Sequence, residues 1–340
     1  MYRLVFKPLE PYLAGVRELT VLPDDALAYL PFEVLVVARG EARHDYDFQR
    51  ADLLLHHFAI SYAYTFGSLL AHPEARKEGR GLLLAVGNPD VGAHGDARDR
   101  RTDGQLGSLP SAEREISGVT DIVGRNRSAV FVGEAATEDA VKSRATDFRL
   151  LHFATHSLVN DYEPLYSKMI LARSREGSED GFLQTYEIFN LPLRADLVVL
   201  SACNTAVGRL KRGEGLMSLA RAFFSSGARS LVASLWNVND EATATLMRLF
   251  YRNLKAGMKL NVALQQAKIE FLSTAREGRS DPFYWAPFIL IGRPDQVILG
   301  DEPGTDRPFY AAHRVDLALG VFLAIAVALG LWWRRRSGAS

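Results

Sequence analysis

The one cysteine of this 340-residue chain, Cys203, follows an apolar run that reads Leu197-Val-Val-Leu-Ser-Ala-Cys203. A second apolar run, Leu150-Leu-His-Phe-Ala-Thr-His156, ends on a histidine and is followed by Ser157. Runs of this kind, bounded by turn residues, read as buried parallel strands. In an open α/β sheet, sites form beyond the carboxyl ends of such strands. Two of them side by side bring an imidazole and a thiol to one rim. The imidazole then takes the thiol proton, and the thiolate attacks a carbonyl carbon. The backbone N–H groups of Ser157 and Cys203 are the candidate donors to the resulting oxyanion. A lone cysteine after an apolar run is more often a small core residue; the matching histidine run is what favours chemistry.

Other spacings lead nowhere. His152 and His156 are four apart, like zinc-binding pairs on helices, but the segment lacks the HExxH glutamate and reads as strand, so no metal is expected. His152 lies inside the apolar run and reads as a buried, hydrogen-bonded histidine. The pair His56-His57 has no partner cluster in sequence and reads as structural. No GxGxxG opens a helix and no GxxxxGK[ST] is present, so neither a dinucleotide nor a nucleotide cofactor is implied.

The elements that must position Cys203 and His156 alternate. Strands are predicted at Glu18–Leu22, Leu82–Val86, Ala129–Val132, Leu150–Ala154, Leu197–Leu200, Ser230–Leu235 and Phe288–Ile291. Helices are predicted at Thr137–Ala145, started by a threonine cap, at Leu216–Ser225, stopped by Gly227, at Glu241–Lys255, ending at Gly257, and at Val262–Thr274. Asn88–Gln105 and Arg173–Gly181 are polar and read as exposed loops. Strand–helix alternation predicts an α/β fold, a mostly parallel sheet with helices on both faces. The segment before about residue 125 is expected to form an N-terminal half of the same sheet.

Composition excludes some classes. Forty Lys and Arg balance forty Asp and Glu, which gives no global bias toward nucleic acid. One cysteine cannot form an intrachain disulfide, so nothing demands an oxidising compartment. The N-terminus, Met1-Tyr-Arg-Leu-Val-Phe-Lys-Pro8, lacks the apolar core of a signal peptide. The folded part is therefore expected in the cytoplasm.

The C-terminus differs. Leu317 to Trp333 carries no charge, at the lower limit of about 17 residues for a membrane-spanning helix. Trp332 and Trp333 stand where interfacial aromatics belong, and Arg334, Arg335 and Arg336 follow. The expected organisation is a folded domain at 1–299, a linker at 300–314, a transmembrane helix at 315–333 and a basic tail at 334–340. The arginine triplet favours a cytoplasmic C-terminus, whereas the missing signal peptide favours a cytoplasmic domain with the C-terminus outside. The tail-anchored arrangement is the preferred reading.

The two chemical segments resemble the signature motifs of the CHAT-domain family, caspase-like cysteine peptidases related to separase. Ala154-Thr-His-Ser157 is similar to its Ala-Thr-His-Gly histidine motif, and Leu200-Ser-Ala-Cys-Asn-Thr205 to its cysteine motif. The resemblance extends to Leu22–Leu35 (as the family's first strand and turn), Gly213–Phe223, Ser234–Val238 with Asp240, and Pro282–Phe288, and so covers roughly residues 10–295. It implies a caspase-like fold, Cys203 as nucleophile, His156 as general base and later proton donor, a protein substrate, and no cofactor. Ser157 departs from the family's glycine, which tolerates backbone angles that serine does not.

Substrate choice in caspase-like enzymes comes largely from a pocket beside the cysteine. Asp240 and Glu241 are candidates to line it and to favour a basic side chain, as is Glu214. All three also suit a helix start. Family members often carry helical repeats that sense or recruit; none is visible here, so an activating or sensor protein is an expected partner. By analogy the role is a bacterial regulatory or defence response. The alternatives are a membrane-bound interaction scaffold with a decayed site and a thiol hydrolase of small esters or amides.

Overall fold

The apolar runs do become strands in a computed structural model, which describes residues 1–38, 47–65, 81–91, 108–158, 160, 162–174, 179–201, 214–276 and 278–299. The strands are β1 Glu18–Val21, β2 Val36–Ala38, β3 Asp52–Leu53, β4 Ala59–Tyr62, β5 Gly81–Pro89, β6 Ser128–Gly133, β7 Phe148–Ala154, β8 Ser157–Leu158, β9 Lys168–Ile170, β10 Phe182–Gln184, β11 Leu197–Leu200, β12 Ser230–Ser234 and β13 Phe288–Gly292. The α-helices are α1 Tyr2–Val5, α2 Leu54–His57, α3 Pro110–Val123, α4 Glu138–Arg144, α5 Thr185–Ile188, α6 Glu214–Ser225, α7 Asp240–Lys255, α8 Leu260–Thr274 and α9 Pro282–Trp285. Residues Met1–Arg17, which hold α1, form a unit apart from Glu18–Asp301, which holds all the strands.

Eight strands form one sheet in the order β1-β4-β13-β12-β11-β7-β5-β6. It consists of two parallel blocks. β12, β11, β7, β5 and β6 run one way, β13, β4 and β1 run together, and the blocks meet where β13 pairs antiparallel with β12. The sheet is mostly parallel, but the segment before residue 125 does not make one half of it: β1 and β4 lie at one edge and β5 lies next to the other. β7 and β11 lie side by side with Leu197 opposite Leu150 and Leu200 opposite Phe153. Every residue of β11 is buried, as is β7 apart from Arg149. That burial is why these strands are written in leucine and valine.

α3 packs against α7 and lies along β5 and β7, and α8 packs against α7 and β4. α6 packs against α5 and β12. Strand alternation divides β7 between two sets of helices. His152 meets Tyr251 of α7, and Phe153 meets Phe223 of α6, ring centroids 6.1 Å apart. The predicted helix stops hold: Gly227 and Gly257 take positive φ, 115° and 82°, beyond the ends of α6 and α7.

Leu22–Leu35, which resembles a first strand and turn, is not a strand. It forms 3₁₀ turns at Asp25–Tyr29 and Phe32–Val34. Their anchor is a buried ion pair: Lys268 Nζ lies 2.7 Å from Glu33 Oε1, and the Tyr62 hydroxyl donates to Glu33 Oε2 at 2.6 Å. The predicted loop at Asn88–Gln105 begins inside β5. Asn88 Oδ1 there accepts from Ser108 Oγ at 3.2 Å and Leu109 N at 2.6 Å. The rest of that loop, from residue 92, lies outside the described residues. No helix among the described residues is long and apolar enough to cross a membrane; the predicted span at 315–333 lies outside them.

Candidate active site

β7 ends at Ala154 and the chain runs through Thr155 to His156, which is half-buried. Next to it β11 ends at Leu200, and Ser201 N donates to Phe153 O at 3.0 Å, which carries the pairing one residue further. Residues 202–213, Cys203 among them, lie outside the described residues. The carboxyl ends of β7 and β11 thus share one rim.

After His156 the chain enters a second sheet, antiparallel, in the order β10-β9-β8. Ser157 opens β8 and pairs with Met169, and Ile170 N donates to His156 O at 2.8 Å. This ladder fixes the histidine backbone just past the end of β7. Outside glycine, positive φ among the described residues occurs at Asp25 and Asn88. Ser157 is extended strand, so its backbone needs no glycine.

His152 has the opposite situation. It is fully buried, with Nε2 2.8 Å from Glu115 Oε1 and Nδ1 3.1 Å from the Tyr251 hydroxyl. The reading of a buried, hydrogen-bonded histidine holds. The Tyr251 hydroxyl is held far above the usual tyrosine range, by burial first and by the Glu115 carboxylate second. His57 Nε2 lies 2.7 Å from Asp52 Oδ1, and His56 Nδ1 accepts from Leu53 N at 3.2 Å, both local structural bonds.

The candidate pocket acids separate. Asp240 opens α7, behind Asn239, whose Oδ1 accepts from Glu241 N at 3.1 Å and Ala242 N at 3.2 Å. Burial raises the Asp240 carboxyl above its ordinary range, His156 pulls it down and Glu115 pushes it up. Glu241 is exposed and its Oε2 accepts from Arg279 Nη2 at 2.7 Å; Arg279 holds its carboxyl below the usual range. Glu214 opens α6. Trp236 Nε1 donates to Phe283 O at 3.1 Å and Trp285 Nε1 to Ser280 O at 3.0 Å, which ties the start of α9 in place.

Among the described residues one group of three carboxylates stands close enough to share a cation: Glu138, Glu179 and Glu187. Lys142 Nζ lies 2.8 Å from an oxygen of each, so the chain supplies its own cation there. Sequence reasoning missed Glu115, Tyr251 and this cluster. Glu115 sits on α3, a helix not foreseen, and no spacing links it to His152.

A family model described as the CHAT domain matches residues 1–293. Curated relatives are the tetratricopeptide repeat protein 28 of mouse, 26% identical over 340 residues, and of human, 27% identical over 331 residues. Each match covers 86% of this chain and 13% of the relative's own length. Among solved structures, the Arg-specific cysteine proteinase gingipain R (RgpB) superposes with a TM-score of 0.50 at 9% identity, over 87% of this chain and 67% of that one. The separase of a Saccharomyces cerevisiae separase–securin complex gives a TM-score of 0.41 at 12% identity, over 70% of this chain and 14% of that one.

Proposed function

The chain belongs to the CHAT-domain family, and on that premise we propose that it is a cysteine endopeptidase with Cys203 as nucleophile and His156 as general base. The observation that carries the reading is the shared rim of β7 and β11, with half-buried His156 just past the end of β7 and Ser201, two residues before Cys203 in sequence, just past the end of β11. In the proposed reaction His156 takes the proton from Cys203 Sγ, and the thiolate attacks the scissile carbonyl carbon. The oxyanion is met by backbone N–H groups, with Ser157 and Cys203 as candidates. The tetrahedral adduct collapses to a thioester as His156 returns the proton to the leaving amine. His156 then deprotonates a water that cleaves the thioester and regenerates the thiol.

Asp240 is the proposed acid of the specificity pocket. The pull of His156 on its carboxyl supports this, as does the likeness of the fold to gingipain R, an Arg-specific cysteine proteinase. Glu241 is engaged by Arg279 and has the weaker claim. Leu317–Trp333 is proposed as a membrane anchor that keeps the domain at the cytoplasmic face, near a protein substrate and an activating partner, in a bacterial regulatory or defence response.

The test incubates the full chain with a peptide library that varies the residue before the cut. Cleavage after basic residues, lost in Cys203→Ala and in His156→Ala, is the expected result. If cleavage is absent and Cys203 is also inert to a peptide-like electrophile, the domain is an interaction scaffold and the peptidase reading falls.

A further inference from the structure

The segment after His156 leaves large apolar side chains in solvent. Tyr162 is 73% exposed, Tyr166 54%, Leu165 52%, Tyr186 42% and Phe189 38%. Such side chains are ordinary when scattered and informative when they gather. The fold gathers the central pair. Tyr166 ends the 3₁₀ turn Pro164–Tyr166 and Tyr186 lies on α5. Their rings meet edge to face, centroids 6.0 Å apart. Thr185 N and Oγ1 each donate to Ser167 O at 2.8 Å, which locks that turn to the start of α5. Tyr162 stands on a turn in which Asn160 Oδ1 accepts from Tyr162 N at 3.0 Å and Glu163 N at 2.9 Å.

The charge around this pair is acidic. Lys168 lies over the Phe182 ring, 3.7 Å from its centroid, while burial first and then Glu187, Asp180 and Glu138 raise the Tyr186 hydroxyl pKa, with Lys142 opposing them. That ammonium already serves three carboxylates. The face is also joined to the candidate catalytic rim. Ile170 N donates to His156 O, and Tyr166 lies four residues before Ile170, roughly 13 Å of extended chain away.

We propose that this face docks an extended, arginine- or lysine-bearing segment of the protein substrate outside the cleft, its cations against the Tyr166 and Tyr186 rings beside Asp180 and Glu187. Aromatic faces and carboxylates attract the same cations, and interleaved aliphatic side chains of the substrate cover Leu165 and Phe189. The inference rests on the endopeptidase reading for the identity of its occupant, and the surface itself is separable from catalysis.

The experiment uses the full chain carrying Cys203→Ala, so that binding is measured without cleavage. Two fluorescein-labelled ten-residue peptides, one alternating leucine with arginine and one alternating leucine with glutamate, are titrated by anisotropy. The arginine peptide is expected to bind and the glutamate peptide not to. Tyr166→Ala with Tyr186→Ala is expected to weaken binding about tenfold. Asp180→Asn keeps the acceptor for Phe182 N and removes the charge; it is expected to weaken binding several-fold. Equal binding of the two peptides, or unchanged affinity in the double tyrosine variant, overturns the proposal. So does a dimer that falls apart in that variant, because a second copy then covers the face. If neither ten-residue peptide binds while the enzyme with Cys203 intact still cleaves short peptides, the docking surface alone falls. Intact docking without any cleavage sinks the peptidase reading alone.

Discussion

His152 and His156 stand four residues apart and differ in what surrounds them. His152 is enclosed by Glu115 and Tyr251; His156 has passed the end of β7 and reaches the rim. The proposed pocket acid is Asp240, whose carboxyl pKa is raised, by burial first, and this gives a pH test of that pocket. A raised pKa means the pocket gains its negative charge only at a higher pH than an ordinary aspartate would. The ratio of kcat/KM for a basic over a neutral substrate should therefore fall as pH drops, and taking a ratio removes pH effects common to both substrates. Asp240→Asn should remove that pH dependence and lower kcat/KM for the basic substrate roughly 100-fold. At Glu33 the stake is stability. Glu33→Ala leaves Lys268 buried without its partner and should cost about 3–5 kcal/mol in urea unfolding. Glu33→Leu combined with Lys268→Met should recover most of it. The end of an apolar run on His156 was visible in the sequence. The partners of His152 were not, because Glu115 and Tyr251 lie 37 and 99 residues away.

At the scale of elements, strongly patterned segments were readable and weakly patterned ones were not. β11 was readable because four consecutive buried positions demand four apolar residues. β4 was missed because Ala59-Ile-Ser-Tyr62 is short and includes a serine, which is satisfied only by Thr20 and Leu19 of the neighbouring strand. α3 was missed because its apolar face (Ala112, Ile116, Val119 and Val123) is diluted by charge and follows a polar stretch. The cap of α7 was legible in Asn239; Asn239→Ala should cost about 1 kcal/mol by thermal or urea unfolding. α4 carries a pH-dependent element. Burial pushes Glu138 from 4.5 up to about 7, with Glu187 and Glu179 adding and Lys142 opposing. The folded chain then holds this proton more tightly than the unfolded chain, so stability should fall as pH rises from 4.5 toward 7. Urea midpoints at pH 5 and pH 8 should show that loss in the parent and a flatter response in Glu138→Gln.

For the whole molecule, strand–helix alternation leads to a mostly parallel sheet because crossovers between parallel strands need helices on the faces. The antiparallel junction of β13 with β12 had no counterpart in that pattern. Both strands are buried runs of the same composition, and direction leaves no trace in burial. The proposed anchor makes a prediction at this scale. The full chain should float with phospholipid vesicles in a density gradient, and a chain ending at residue 299 should stay at the bottom. Flotation of the shorter chain would place the membrane contact in the folded domain instead.

The sequence by itself determined where the chain is apolar, how often it turns and which elements must be buried, because burial and period are local properties of composition. It also determined the family, through motifs that keep their order over most of the chain. Only the tertiary structure decided which strands are neighbours, that Glu115 and Tyr251 enclose His152, that Glu241 holds Arg279, and that three carboxylates share Lys142. These are pairings across long sequence separations, set by how faces pack, and no local pattern encodes them.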